Sequence, residues 1–78
     1  MSLMENLEKL KKKILKLGIH IRLDLDLNQD DTILVNCELM GHSLTGQVMI
    51  TRKGSGATEL EAVSKAFEQF KKASDDLY

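Results

Sequence analysis

Proline and tryptophan are missing from this chain of 78 residues, and cysteine and tyrosine occur once each. A single cysteine, Cys37, excludes an internal disulfide framework and fits a reducing compartment. With only two phenylalanines, the core is expected to be mainly aliphatic. No apolar run is long enough to cross a bilayer, and no signal-peptide pattern opens the chain, which reads as soluble and cytoplasmic with no membrane partner. Basic residues are lacking from 23 to 51, where Asp24, Asp26, Asp30, Asp31 and Glu38 all fall. Residues 1–22 are the reverse, with Lys9, Lys11, Lys12, Lys13, Lys16 and Arg22 against Glu5 and Glu8. The net charge of −1 therefore hides a basic end and an acidic middle, a split that suits docking to an oppositely charged surface, including a second copy.

The strongest pattern is Ile19 to Leu27, read I-H-I-R-L-D-L-D-L. Ile19, Ile21, Leu23, Leu25 and Leu27 alternate with His20, Arg22, Asp24 and Asp26, the period of two of a strand with one buried face. Before it, Leu7, Leu10, Ile14 and Leu17 recur three and four apart, which predicts an amphipathic helix over 4–17, ended by Gly18 as a left-handed C′ residue. Met1-Ser2-Leu3 precede a second methionine and read as an addition outside a single domain spanning 4–78.

Asn28-Gln29-Asp30-Asp31 predicts a hairpin loop. Thr32 to Met40 reads as a second strand, with Ile33, Val35, Cys37 and Leu39 facing in and Leu34, Asn36, Glu38 and Met40 facing out. Gly41-His42-Ser43 reads as a turn, and Leu44 to Thr51 as a third strand with Leu44, Gly46, Val48 and Ile50 on one face. Arg52-Lys53-Gly54-Ser55-Gly56 reads as a loop, and Thr58 with Glu61 as a capping box that starts a helix with the stripe Val63, Ala66, Phe67, Phe70, Ala73 and Leu77. Asp75 and Asp76 sit poorly at a helix C-terminus, so fraying is expected there. The expected class is α+β in the order α-β-β-β-α, a three-stranded antiparallel meander with two helices on one face.

Candidate chemistry is sparse. Asp24, Asp26, Asn28 and Asp30 open like a calcium loop, but Gln29 and Val35 stand where that loop needs glycine and glutamate. His20, Cys37 and His42 do not converge in the expected fold, so no metal and no cofactor are expected. His42-Ser43 offers one general base, and a nuclease using it predicts that His42→Ala abolishes RNA cleavage; with no third group to orient the ring, the chain reads as a non-enzyme without a small-molecule substrate. The run from Arg52 to Gly56 could cradle a phosphate, which Glu59 and Glu61 would repel. Leu34, Met40 and Met49 on the outer sheet face form a candidate interaction patch. Lys9, Lys12, Lys13, Lys16, Arg52 and Lys53 form a candidate nucleic-acid contact.

The order α-β-β-β-α, with Gly54-Ser55-Gly56 before the last helix and Ala62 and Ala66 inside it, resembles the double-stranded RNA-binding domain. That resemblance implies the two-layer fold. It implies phosphate contacts at the start of the last helix, where this chain has Glu59, Leu60 and Val63, and a minor-groove contact at the first hairpin, which here is Asn28 to Asp31. The segment Gly56-Ala57-Thr58-Glu59-Leu60-Glu61-Ala62 is similar to the strand-to-helix junction of HicB-type antitoxins, which are small partner-binding proteins. Together these features lead to the expectation of a small binding protein acting through a sheet face or edge, as a homo-oligomer or with a protein partner, and alternatively of a nucleic-acid accessory factor.

Overall fold

The computed structural model describes residues 3–43 and 48–75. Helix α1 (Leu3–Lys16) leads into strands β1 (His20–Leu27), β2 (Ile33–His42) and β3 (Met49–Gly56), followed by helix α2 (Glu59–Asp75). The strands form one antiparallel sheet in the order β1-β2-β3, so β1 and β3 are its edges. This is the expected α+β order. Leu3 is the first residue of α1.

Local chemistry sets the joints. Gly18 has φ +79, which L side chains rarely adopt, and the amides of Gly18 and Ile19 bond back to the carbonyls of Leu15 and Ile14 at 3.0 and 3.3 Å. That bonding pattern ends α1 and starts β1 one residue later. At the first hairpin, the Asn28 amide donates to Thr32 O at 2.9 Å, and Asp31 sits at φ 64. The Thr32 hydroxyl donates to Asp30 Oδ1 at 2.7 Å, which with the Thr32 amide holds the Asp30 carboxyl below its ordinary range. At the start of α2, the Glu61 amide donates to Thr58 Oγ1 at 3.2 Å, as a capping box requires. The return bond differs, because the Glu61 carboxylate accepts from the Ala57 amide at 3.2 Å. That bond and Lys65 keep the Glu61 carboxyl below its usual range, Lys65 being the larger influence.

One core lies on one side of the sheet. Val35, Cys37 and Leu39 of β2 meet Val63, Ala66, Phe67 and Phe70 of α2, with Ile14 of α1 and Ile19 closing the end. Both phenylalanines are part of it, and Phe70 is the largest fully buried side chain among the described residues. Ala73 is partly buried against the core, while Leu77 and Asp76 lie outside the described residues.

The strand limits depart from the sequence reading in two places. β2 runs on through Gly41 and His42, so that segment is strand rather than turn. β3 is Met49–Gly56, so Arg52 to Gly56 is strand rather than loop, and the expected Leu44, Thr45, Gly46 and Gln47 lie outside the described residues. Val48 precedes β3 and is exposed. Glycine and serine suggest a turn, but inside a strand glycine marks the close approach of another backbone. Here α2 makes that approach: a Cβ on Gly54 would lie 2.3 Å from the Ala66 nitrogen and 2.7 Å from the Ala62 oxygen.

Coverage of the sheet also differs. Ile33, expected to face in, and Leu25 and Leu27, on the apolar side of β1, are on the helix side of the sheet but 57%, 69% and 72% exposed. Neither helix extends over the hairpin end.

Candidate functional site

Three surfaces can carry function, and the register defines each of them. The first is the open face. Alternation along the strands turns Arg22, Asp24, Asp26, Asn36, Glu38 and Lys53 away from the core, where they line a shallow concavity of about 640 Å³. The groups pair among themselves. Lys53 Nζ lies 3.6 Å from Glu38 Oε2, Arg22 Nε lies 3.5 Å from Asp24 Oδ2, and the Asn36 amide donates to Asp26. Exposed pairs of this kind contribute about 0–1 kcal/mol each, so they organise the surface more than they stabilise it.

The proposed patch of Leu34, Met40 and Met49 is divided by this register. Met40 and Met49 are diagonal neighbours, since Met49 faces His42 and Met40 faces Thr51. Leu34 faces Asp26 at the opposite end of β2, about 20 Å away at the usual strand rise. The structure therefore brings the two methionines together and leaves the leucine apart.

The second surface is basic. Lys9, Lys12, Lys13 and Lys16 of α1 line one shallow depression with Leu17, the residue after the helix. The ammonium of Lys13 lies 5.9 Å from the centroid of the Phe67 ring, and that of Lys71 lies 4.9 Å from it, so α2 extends the basic surface. Lys11 faces elsewhere and bridges to Glu59 Oε2 at 3.1 Å, tying α1 to the first turn of α2. Arg52 and Lys53 do not act as a joint loop contact. As neighbours on a strand they leave opposite faces of β3: Lys53 turns to Glu38, and Arg52 starts from the helix side with Nη1 donating to the Thr51 carbonyl at 2.7 Å.

The third surface was not foreseen. Leu27 faces Ile33 directly across the β1–β2 pair, and Leu25 is the next residue on that side of β1. All three are exposed on the helix side, next to the loop that carries Asp30 and Asp31. Of the α1 stripe only Ile14 is fully buried, while Leu7 and Leu10 are half-buried at the core's margin and Leu17 is exposed.

Comparison with protein-family models, with curated proteins and with solved structures finds no match. The surfaces must therefore be read from their own chemistry. No helix among the described residues is long and apolar enough to cross a membrane. Among the described residues, no group of three or more His, Cys, Asp and Glu side chains is placed to hold a metal. His42 is exposed, while Ser43 is buried.

Cys37 is 1% exposed, and burial pushes its thiol up to about 11. The reactive thiolate is scarce at neutral pH, so a disulfide reagent should react with Cys37 only as fast as the protein opens. A folded value above the unfolded one means stability is held below about pH 9 and lost as the pH rises towards about 11. Urea midpoints measured across that range should fall; a flat profile would contradict this account.

Proposed function

We propose that this chain is a small non-enzymatic binding protein that self-associates through the helix side of its β1–β2 hairpin. The observation that carries this reading is the uncovered trio Leu25, Leu27 and Ile33. Single exposed aliphatics are ordinary, but a contiguous set on a sheet face invites a cover. Charge points to the occupant. The trio borders the hairpin loop that carries Asp30 and Asp31, and the end of α1 offers Lys12, Lys13 and Lys16 beside the exposed Leu15 and Leu17. Two copies can exchange these elements, each placing its α1 end against the other's hairpin. Burying each aliphatic contributes about 1.5–3 kcal/mol, against an association cost of order 4–15 kcal/mol, which suits a reversible dimer rather than a permanent one.

Sedimentation at micromolar protein should give a dimer that weakens as salt is raised. Leu27→Asp should leave a folded monomer, because Leu27 is 72% exposed and contributes little to the fold. A strict monomer at every concentration would overturn self-association and leave the hairpin to a different protein.

A second reading rests on the other surface. Four lysines along one helix, joined by Lys71 across the Phe67 ring, suit a phosphate backbone. Nucleic acid held this way should elute from immobilised duplex as salt rises, since each neutralised phosphate releases counterions. No retention at low salt would remove this reading.

A further inference from the structure

We propose that His20, Met40, His42 and Met49 form a binding site for a soft monovalent cation of the Cu(I) and Ag(I) class. The register places these donors together. His20 lies directly opposite Met40 across β1 and β2, and His42 lies directly opposite Met49 across β2 and β3. Met40 and His42 are two residues apart on β2 and so share a face. Their neighbours Ile19, Leu39, Gly41, Ser43 and Ile50 are all buried, which sends the four donors to the open side, where all four are exposed. Side chains directly opposed on antiparallel strands start about 4.5–5.5 Å apart, and diagonal ones about 7–8 Å. Imidazole and thioether arms can close those gaps onto one ion above β2, with Met40 and His42 at its centre.

The donor set selects the ion. Thioether sulfur is soft and suits Cu(I), and imidazole accepts the same metal. None of the four side chains is an anion, so nothing in the set offsets a divalent charge. No carboxylate belongs to the group: Glu38, two residues before Met40 on the same face, is turned to Lys53 at 3.6 Å. The one thiol, Cys37, is buried on the opposite side of the sheet. Two of the four donors are thioethers, and the site exists only because β2 runs on through His42. The site is on the open face, away from the hairpin surface proposed above, and stands independently of it.

Silver(I) is the probe of choice because it is redox-inert. The full chain, titrated with silver nitrate in chloride-free buffer, should saturate at one equivalent. The Met40 and Met49 methyl resonances and the His20 and His42 ring resonances should shift together. Met40→Leu with Met49→Leu keeps the apolar bulk and removes both sulfurs, and affinity should then fall at least about tenfold, the loss that even outer-shell changes at metal sites produce. His42→Gln should act in the same direction. Shifts confined to the surroundings of Cys37, or an affinity unchanged in the double leucine variant, would overturn the site. Zinc(II) binding at the same residues more tightly than silver(I) would overturn the assignment to a soft monovalent ion.

Discussion

Gly54→Ala is expected to cost about 3 kcal/mol or more, the upper end of overpacking penalties and a large part of the stability available to a domain of this size. The added methyl would sit 2.3 Å from the Ala66 nitrogen, 2.7 Å from the Ala62 oxygen and 2.9 Å from the Ala66 Cα. All three are backbone atoms of α2, so no side-chain rotation can relieve the clash. Helix and strand must separate, and the core between them opens. Gly56→Ala provides the control. The three atoms nearest its methyl would be Cγ, Cδ and Cβ of Glu61, at 2.6, 2.7 and 2.8 Å. Cγ and Cδ can rotate away at the cost of the bond to the Ala57 amide, but Cβ is fixed to the helix, so α2 must still shift slightly. Urea unfolding followed by circular dichroism should therefore give Gly54→Ala the lower midpoint of the two variants. Equal midpoints would mean that α2 does not rest on β3 at Gly54.

Phe70→Ala is expected to cost about 3–5 kcal/mol, the range for truncating a buried aromatic. Phe70 is 0% exposed, within the cluster that joins both helices to β2. The surrounding Ile14, Val63 and Leu39 belong to three different elements and cannot all collapse into the space left behind. A chain this small buries little more than about 60% of its unfolded surface, and the described residues form one core with nothing to compensate. Loss of cooperative unfolding at room temperature is the expected outcome. A shift below about 1 kcal/mol, the level of a surface change, would contradict this packing. Leu27→Asp gives the opposite contrast: a larger chemical change at an exposed position, with its main effect on association.

Where structure follows from neighbouring residues, the reading from sequence was accurate. The alternation from Ile19 to Leu27 gave β1, Gly18 gave the helix stop, Asn28 to Asp31 gave the hairpin, and Thr58 with Glu61 gave the start of α2. Each is governed by backbone preferences or by hydrogen bonds spanning no more than five residues. The errors came where a distant element decides. Arg52 to Gly56 has the composition of a loop and becomes strand because α2 lies on its glycines. The same change sends Arg52 and Lys53 to opposite faces and divides a basic pair that looked continuous.

The amino-acid pattern alone determined the order of elements, their types and the choice of buried face, because periodicity and turn chemistry are local and strong. It left open how far the helices reach over that face and which residues become neighbours across the strands. Those depend on helix placement and strand register, set by contacts between residues far apart in the chain. Leu25, Leu27 and Ile33 have the phase of core residues, and only the position of α1 and α2 leaves them bare. His20, Met40, His42 and Met49 are scattered along the chain, and only the pairing of three strands gathers them on one face.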